Sequence, residues 1–177
     1  MRAVIQRVLN ASVVVGEETV NFGPEMRSIW FLFSGRRHSL MFQVSSIGGG
    51  LCVLVGIECG DSKDDVEYLV RKLVGIRLFS NEENGKRWDK SAKDLGLEIL
   101  CVSQFTLHAT LKGNKPDFRR AMGPEEAPGV YADFLAQLKK AHKEDLIKDG
   151  RFGEMMAVNL VNDGPVTITL DSKNRDW

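Results

Sequence analysis

Leu51-Cys52-Val53-Leu54-Val55-Gly56-Ile57 is an unbroken apolar run of strand length, rich in β-branched residues. A run of this kind reads as a strand buried on both faces. The segment after it changes period. Ser62 and Asp65 have the spacing of a capping box, with Asp in the place of Glu. Val66, Leu69, Val70, Leu73 and Val74 then recur at helical spacing, and Gly75 supplies a stop. Ile76 to Phe79 returns to strand character, and Asn81 to Lys93 is polar and turn-rich. Leu97 to Ser103 reads as a second buried strand.

Outward from this unit the pattern stays strand-rich. Ala3, Ile5 and Arg7 alternate with Val4, Gln6 and Val8, and Ser12 to Val15 reads as a further short strand entering a turn at Gly16. A second helix is predicted over 125–142, with Val130, Tyr131, Phe134, Leu135 and Leu138 on one face. Pro128 lies in its first turn or marks a later start. Ala157 to Val161 and Val166 to Leu170 alternate as two strands around a turn at Asn162-Asp163-Gly164-Pro165. The tail from Asp171 is expected to fray. The fold class is therefore mixed α/β: a largely antiparallel sheet carrying two main helices.

Composition narrows the function. The chain has 177 residues and 43% hydrophobic residues, which suits one domain with a sizeable core. Its 24 basic and 24 acidic side chains cancel, so any nucleic-acid contact has to come from a local patch. Cys52, Cys59 and Cys101 show no metal spacing, and an odd count fits a reducing, cytoplasmic setting. No metal or cofactor is predicted. The apolar runs are too short to span a bilayer, and no membrane partner is expected.

Several segments carry polar groups worth weighing. Ser103, Gln104 and Thr106 follow a buried strand, where polar groups can converge on a pocket or serve as ordinary loop chemistry. The chain has no G-x-S-x-G elbow, and the nearby His108 does not make a Ser-His-Asp triad. Lys112, Lys115, Arg119 and Arg120 form a basic stretch that reads as a solvated loop or as a phosphate contact. Cys101 reads as a core thiol and His142 as a complement to a helix end.

Taken together, these segments resemble the D-aminoacyl-tRNA deacylases. Met1 to Val8 is similar to that family's first strand. Ser103-Gln104-Phe105-Thr106-Leu107 and Asn162-Asp163-Gly164-Pro165-Val166-Thr167 match its two signature segments in order, and Leu111 to Phe118 resembles the eukaryotic branch. The resemblance implies a homodimeric, β-barrel-like α/β domain with its pocket at the dimer interface, hydrolysing D-aminoacyl-tRNA and also glycyl-tRNA mischarged on tRNA(Ala). It implies catalytic roles for Ser103, Gln104, Phe105 and Thr106. It further implies a cis Gly164–Pro165 pair, held by Arg7, that reaches into the other subunit's pocket, with Lys112, Lys115, Arg119 and Arg120 on the tRNA. Thr106 is the side-chain nucleophile in one account. In the other, backbone amides around Gln104 and Phe105 hold the oxyanion while the terminal ribose 2′-hydroxyl assists water.

Residues 21–44 depart from the family pattern. They interrupt a deacylase domain spanning 1–172, with 173–177 as a frayed tail. The insert, with Ile29-Trp30-Phe31-Leu32-Phe33 and His38, reads as translated intronic or alternatively spliced sequence, or as a partner- or membrane-binding loop. It keeps alive a catalytically silent or non-enzymatic RNA-binding variant, and beside it a small-molecule esterase.

Overall fold

The computed structural model describes residues 1–16 and 41–175. One strand organises it. β1 (Arg2–Gly16) pairs with β10 (Met156–Asp171) along nearly its whole length. On its other side it pairs first with β3 (Gly50–Gly56) and then with β2 (Met41–Ile47). All three pairings are antiparallel. β3 continues in parallel to β6 (Glu98–Ser103), and β6 to β9 (Ile147–Asp149). The sheet order is β10-β1-β3-β6-β9, with β2 beside the far end of β1, and the sheet curls toward a barrel. The parallel pairs exist because long connections carry helices between them: α1 (Lys63–Gly75) and the short α2 (Ala92–Leu95) precede β6, and α3 (Ala127–Ala141) precedes β9. Two small hairpins complete the set: β4 (Arg77–Phe79) with β5 (Lys90–Ser91), and β7 (Thr110–Lys112) with β8 (Lys115–Asp117).

The continuous apolar strands are buried on both faces, as expected. Leu51, Val53 and Val55 face a core shared with Val66, Leu69 and Leu73 of α1 and Tyr131, Phe134 and Leu138 of α3. Cys52 and Leu100 face a second core with Val8, Ala11, Val13 and Ile47. α1 starts where its capping box places it, with the Asp65 carboxylate accepting the Ser62 amide at 2.8 Å.

Four expectations are corrected. The first two strands are one, because a register irregularity at Val8–Asn10 bends β1 without ending it. Val8 faces the second core by ordinary alternation, and the extra residue at Leu9 puts Ala11 and Val13 on that face too, whereas Ala3 and Ile5 face the first core. Likewise, the segments on either side of Asn162–Pro165 are not a hairpin. Both lie in β10 and pair with the same strand, so the chain bulges there and does not reverse. Of the insert assigned to 21–44, Met41–Val44 belong to β2, with Gln43 and Phe42 opposite Val14 and Val15. Residues 21–40, with the aromatic run and His38, lie outside the described residues.

The described part of the tail, as far as Arg175, is also pinned. The Ser172 hydroxyl bonds Asp65 Oδ1 at 2.7 Å and accepts from the Met1 ammonium, which pairs with Asp61. Lys173 Nζ reaches Asp65 Oδ2 at 2.7 Å, and Arg175 lies over the Tyr68 ring. Burial alone would raise the Asp65 carboxyl. The Lys173 ammonium, the Ser62 amide and the Ser172 and Ser62 hydroxyls outweigh it and hold the group well below the usual carboxylate range.

Candidate active site

Ser103 ends β6, and the Gln104 amide still bonds the Val55 carbonyl of β3 at 2.7 Å. The chain then closes one 3₁₀ turn, Phe105–His108. Its first amides, Phe105 and Thr106, have no carbonyl partner among the described backbone bonds, as expected of the start of a helical turn. They form a ready-made pair of donors. The turn rests on Gly56. A Cβ there would lie 2.9 Å from Leu107 Cβ, 3.0 Å from His108 Cδ2 and 3.1 Å from the Gln104 carbonyl. His108 is buried beneath the turn. Burial lowers its pKa against the opposing pull of the Gly56 main chain and the Glu58 carboxylate. Its ring nitrogens do not reach hydrogen-bond geometry, and Glu58 Oε2 stands 3.6 Å from Nδ1.

The turn opens on a cleft of about 570 Å³. Ser103, Gln104 and Phe105 line one side, Phe118 and Met122 another, and Phe152 to Met156 a third. The Phe105 and Phe118 rings meet edge to face, 5.0 Å between centroids. Tyr131 backs the third wall, its ring 5.5 Å from Phe152 and its hydroxyl donating to Asp149 at 2.8 Å. The walls are mostly apolar, with Ser103 and Gln104 at the strand end and Glu154 in the third wall as the polar and charged residues. Thr106 is not part of the lining. It is exposed and accepts a hydrogen bond from Gln104 Nε2. No described base reaches it.

Arg7, Gly164 and Pro165 form a separate group at the β1–β10 bulge. Arg7 faces Val166 and Val8 faces Asn162, so Asp163-Gly164-Pro165 stands out of the ladder. The Asn162 side chain closes the gap, its Oδ1 accepting the Val166 amide at 3.1 Å. Gly164 has φ +112°, a conformation that disfavours any side chain. No cis peptide occurs among the described residues, so the Gly164–Pro165 bond is trans, against the cis form that the resemblance implies. Arg7 does hold this segment. Its Nη1 donates to the Leu78 carbonyl, and its Nε lies 2.9 Å from Asp163 Oδ2. That second contact lacks hydrogen-bond alignment and acts as a Coulombic pair. Phe79 and Trp88 rings flank the guanidinium at 5.9 and 5.8 Å.

The two groups do not meet within one chain. Arg7 is level with Leu51, and Leu51 with Ile99, four residues before Ser103 on β6. The separation is about 13 Å along the strands and, across the sheet, about 10 Å from Arg7 on β1 and about 14 Å from the bulge on β10.

The basic stretch sits by the cleft, since Phe118 within it and Ala121 just after it line the cleft. Much of its charge is taken. Lys112 and Arg119 both pair with Asp117, at 2.9 and 2.7 Å, and Arg120 pairs with Glu58. Lys115 has no ion pair among the described residues. The core-thiol reading agrees with Cys101, which is fully buried with its thiol pushed well up by burial. His142 caps the C-terminal end of α3, and its Nε2 donates to the Leu97 carbonyl at 2.7 Å. Sequence reasoning missed the Phe152–Met156 wall and the Phe79–Trp88 cradle. Only the paired methionines, Met155 and Met156, hinted at the first.

These parts define a mostly apolar cleft with Ser103 and Gln104 at a strand end on one side and Glu154 on another. The profile of one family, D-Tyr-tRNA(Tyr) deacylase, matches residues 38–171. A D-aminoacyl-tRNA deacylase of Drosophila melanogaster is 54% identical over 97% of this chain and 92% of its own length. D-aminoacyl-tRNA deacylase 1 of Homo sapiens is 48% identical over 97% of this chain and 70% of its own. A solved structure titled c-Myc DNA Unwinding Element Binding Protein superposes with a TM-score of 0.79 at 48% identity, over 97% of this chain and 98% of that one. A probable eukaryotic D-amino acid tRNA deacylase, 15% identical, shares the fold at a TM-score of 0.67, over 96% of this chain and 97% of that one. The chain belongs to the D-Tyr-tRNA(Tyr) deacylase family.

Proposed function

We propose that this protein hydrolyses the ester between a D-amino acid and the terminal ribose of tRNA, releasing free amino acid and tRNA, and that it does so as a homodimer. The observation that carries the dimer is the separation of Arg7, Gly164 and Pro165 from the Ser103–Phe105 cleft, too far for both to touch one ester carbonyl. A second copy brings its bulge to the cleft of the first. The family relationship supports the reaction.

In this reading the Phe105 amide, at the cleft wall, stabilises the oxyanion as water attacks the ester carbon and the ribose oxygen leaves with a proton. The Gln104 amide is already engaged by Val55 and is not a donor. Thr106 is not the nucleophile; the ribose 2′-hydroxyl assists the water. Main-chain carbonyls of the Gly164–Pro165 bulge hold the α-ammonium group. An L side chain is then driven into backbone, while a D side chain points out and glycine has none to exclude. Glycyl-tRNA mischarged on tRNA(Ala) is accordingly a second substrate. Lys115, with Lys112, Arg119 and Arg120 when released from their carboxylates, lies along the tRNA. Unpaired cysteines suit a cytoplasmic enzyme.

Complementation tests the shared site. A Gly56→Ala chain damages the turn, and a Gly164→Val chain damages the bulge. Gly56→Ala alone should keep about 1–10% of the rate on D-Tyr-tRNA, and Gly164→Val alone should be nearly inactive. Mixed and co-refolded, half the dimers would hold one intact site, and activity should return to about a quarter of the unmutated level. No recovery, with dimers present by ultracentrifugation, would refute the shared pocket.

A further inference from the structure

Trp88 is the one non-glycine residue described with a positive φ, at +57°. A bulky aromatic side chain in that region is an outlier, and such strain persists where the surroundings over-determine it. Here they do. Asn81 and Asp89 pin both limbs of the β4–β5 loop: the Asn81 amide bonds the Lys86 carbonyl at 2.8 Å, the Asp89 amide bonds the Phe79 carbonyl at 2.9 Å, and Asn81 Nδ2 reaches Asp89 Oδ2 at 3.2 Å. Yet the ring is not buried. It is 54% exposed, so the strain does not serve the core.

Its position gives the strain a use. Arg7 lies 5.8 Å from the Trp88 ring, and the same guanidinium approaches the Gly164 Cβ position to 3.0 Å. Trp88 therefore stands beside the bulge proposed to enter the cleft. Its loop interleaves cations with the ring, as Lys86, Arg87, Trp88 and Lys90. Lys86 is paired with Asp89, while Arg87 and Lys90 have no ion pair among the described residues. Glu82 and Glu83 lie on the opposite limb. An exposed aromatic platform with neighbouring cations is the arrangement that stacks unpaired bases and holds their phosphates.

We propose that Trp88 is a stacking surface for an unpaired base of the tRNA 3′ end, presented across the dimer by the subunit that supplies the bulge. The inference rests on the shared-pocket reading for its geometry, but its binding test stands without catalysis. Arg7 holds the ring at the entrance, so that one side chain sets the position of both the bulge and the platform.

The test uses the full chain with deacylated tRNA and the trinucleotide CCA as probes. Trp88→Ala should weaken both by roughly 5- to 150-fold, the range for losing one stacked base. It should raise KM for D-Tyr-tRNA and D-Ala-tRNA by the same factor and leave kcat within about twofold. Trp88→Phe should restore most of the affinity, and Trp88→Leu should not. CCA should quench tryptophan emission in the unmutated protein and fail to do so in Trp88→Phe, although CCA still binds. Unchanged affinity in Trp88→Ala would overturn the proposal. So would a defect confined to D-Tyr-tRNA, which would place the amino-acid side chain on the ring. Equal rescue by Leu and Phe, or loss of dimer alone, would leave Trp88 as packing. Should Trp88→Ala not fold, the Phe and Leu variants and the quenching decide. Failure of the unmutated protein to cleave either ester, with Trp88-dependent CCA binding intact, would fault the deacylase reading and not this one.

Discussion

Gly56→Ala isolates the contribution of the turn to catalysis. Gly56 has no positive φ, so its need for glycine is purely steric. An added methyl would stand 2.9–3.1 Å from Leu107 Cβ, His108 Cδ2 and the Gln104 carbonyl. Unstrained carbon contacts lie at about 3.5–4.0 Å, so the turn has to retreat by about 0.5–1 Å. Two of the three obstacles are backbone or Cβ atoms, which cannot rotate away. The Phe105 and Thr106 amides ride on the same turn and move with it. Oxyanion donors act at about 2.7–3.1 Å, and loss of one costs about 100- to 1,000-fold in kcat.

Partial relaxation reduces the figure, because the Gln104 amide stays tied to Val55 at 2.7 Å. We expect single-turnover cleavage of D-Tyr-tRNA to fall about 10- to 100-fold, and stability to fall by about 1–3 kcal/mol from overpacking. Gly129→Ala, where nothing lies within 4 Å of the new methyl, should change neither adversely. The assay is rapid-quench deacylation beside urea unfolding. A Gly56→Ala protein that loses the expected stability but cleaves within about twofold of the unmutated rate would show that the turn carries no catalytic group.

Thr106→Ala should retain substantial deacylation, because the hydroxyl is exposed and faces Gln104 with no base; collapse of the single-turnover rate in a folded protein would make it the nucleophile. D-Tyr-tRNA should be cleaved and L-Tyr-tRNA spared, and equal loss of both esters would end the chirality reading. Asp65→Asn should cost about 3–5 kcal/mol, at the low end because Lys173 keeps contact with water. The Asp65 carboxyl is held below its unfolded value, so its stabilisation is full above about pH 5 and fades as pH falls through the depressed range; the mutant's deficit in urea unfolding should therefore shrink in acid, and a deficit that grows there would contradict the ion-pair account. Iodoacetamide at pH 8 should label Cys59 alone in the native protein, since burial pushes the Cys52 thiol up to about 11 and Cys101 well above its ordinary value; mass spectrometry showing rapid labelling at Cys101 would refute the buried-thiol assignment.

The sequence made some of this legible and hid the rest for physical reasons. Val66, Leu69, Leu73 and the Ser62–Asp65 box announced α1 because helix periodicity and capping are local. Leu51–Ile57 announced a doubly buried strand for the same reason. The region around Gly164 misled, since Asn-Asp-Gly-Pro has the composition of a turn whether the chain reverses or bulges. Only the long-range pairing of Val8 with Asn162 and Arg7 with Val166 distinguishes the two. The pocket was half visible: Ser103 and Gln104 follow a readable strand, but Phe152 to Met156 reach the cleft from a loop whose placement depends on Tyr131 and Asp149. The basic stretch was visible as charge, whereas its neutralisation by Asp117 and Glu58 was not.

The register shifts on β1 and β10 connect these observations. Asp163–Pro165 are unpaired on β10 between the partners of Arg7 and Val8, and Leu9 is unpaired on β1 between Val8 and Asn10, so two irregularities flank the Val8–Asn162 pair. On β1 the apolar residues before and after the shift serve two different cores. On β10 the shift expels Gly164 and Pro165, the residues least suited to a regular ladder. Arg7 lies at the edge of the β10 bulge and spends its guanidinium on Asp163, the Leu78 carbonyl and two aromatic rings. Truncating it removes a bridge between β1, the β4–β5 loop and the bulge in one step. Arg7→Ala should therefore leave the Ser103–Phe105 cleft intact while loosening the bulge, and its loss of activity should be complemented by a Gly56→Ala chain but not by a Gly164→Val chain. Complementation by both would place Arg7 outside the bulge's function, and complementation by neither would place it in the fold as a whole.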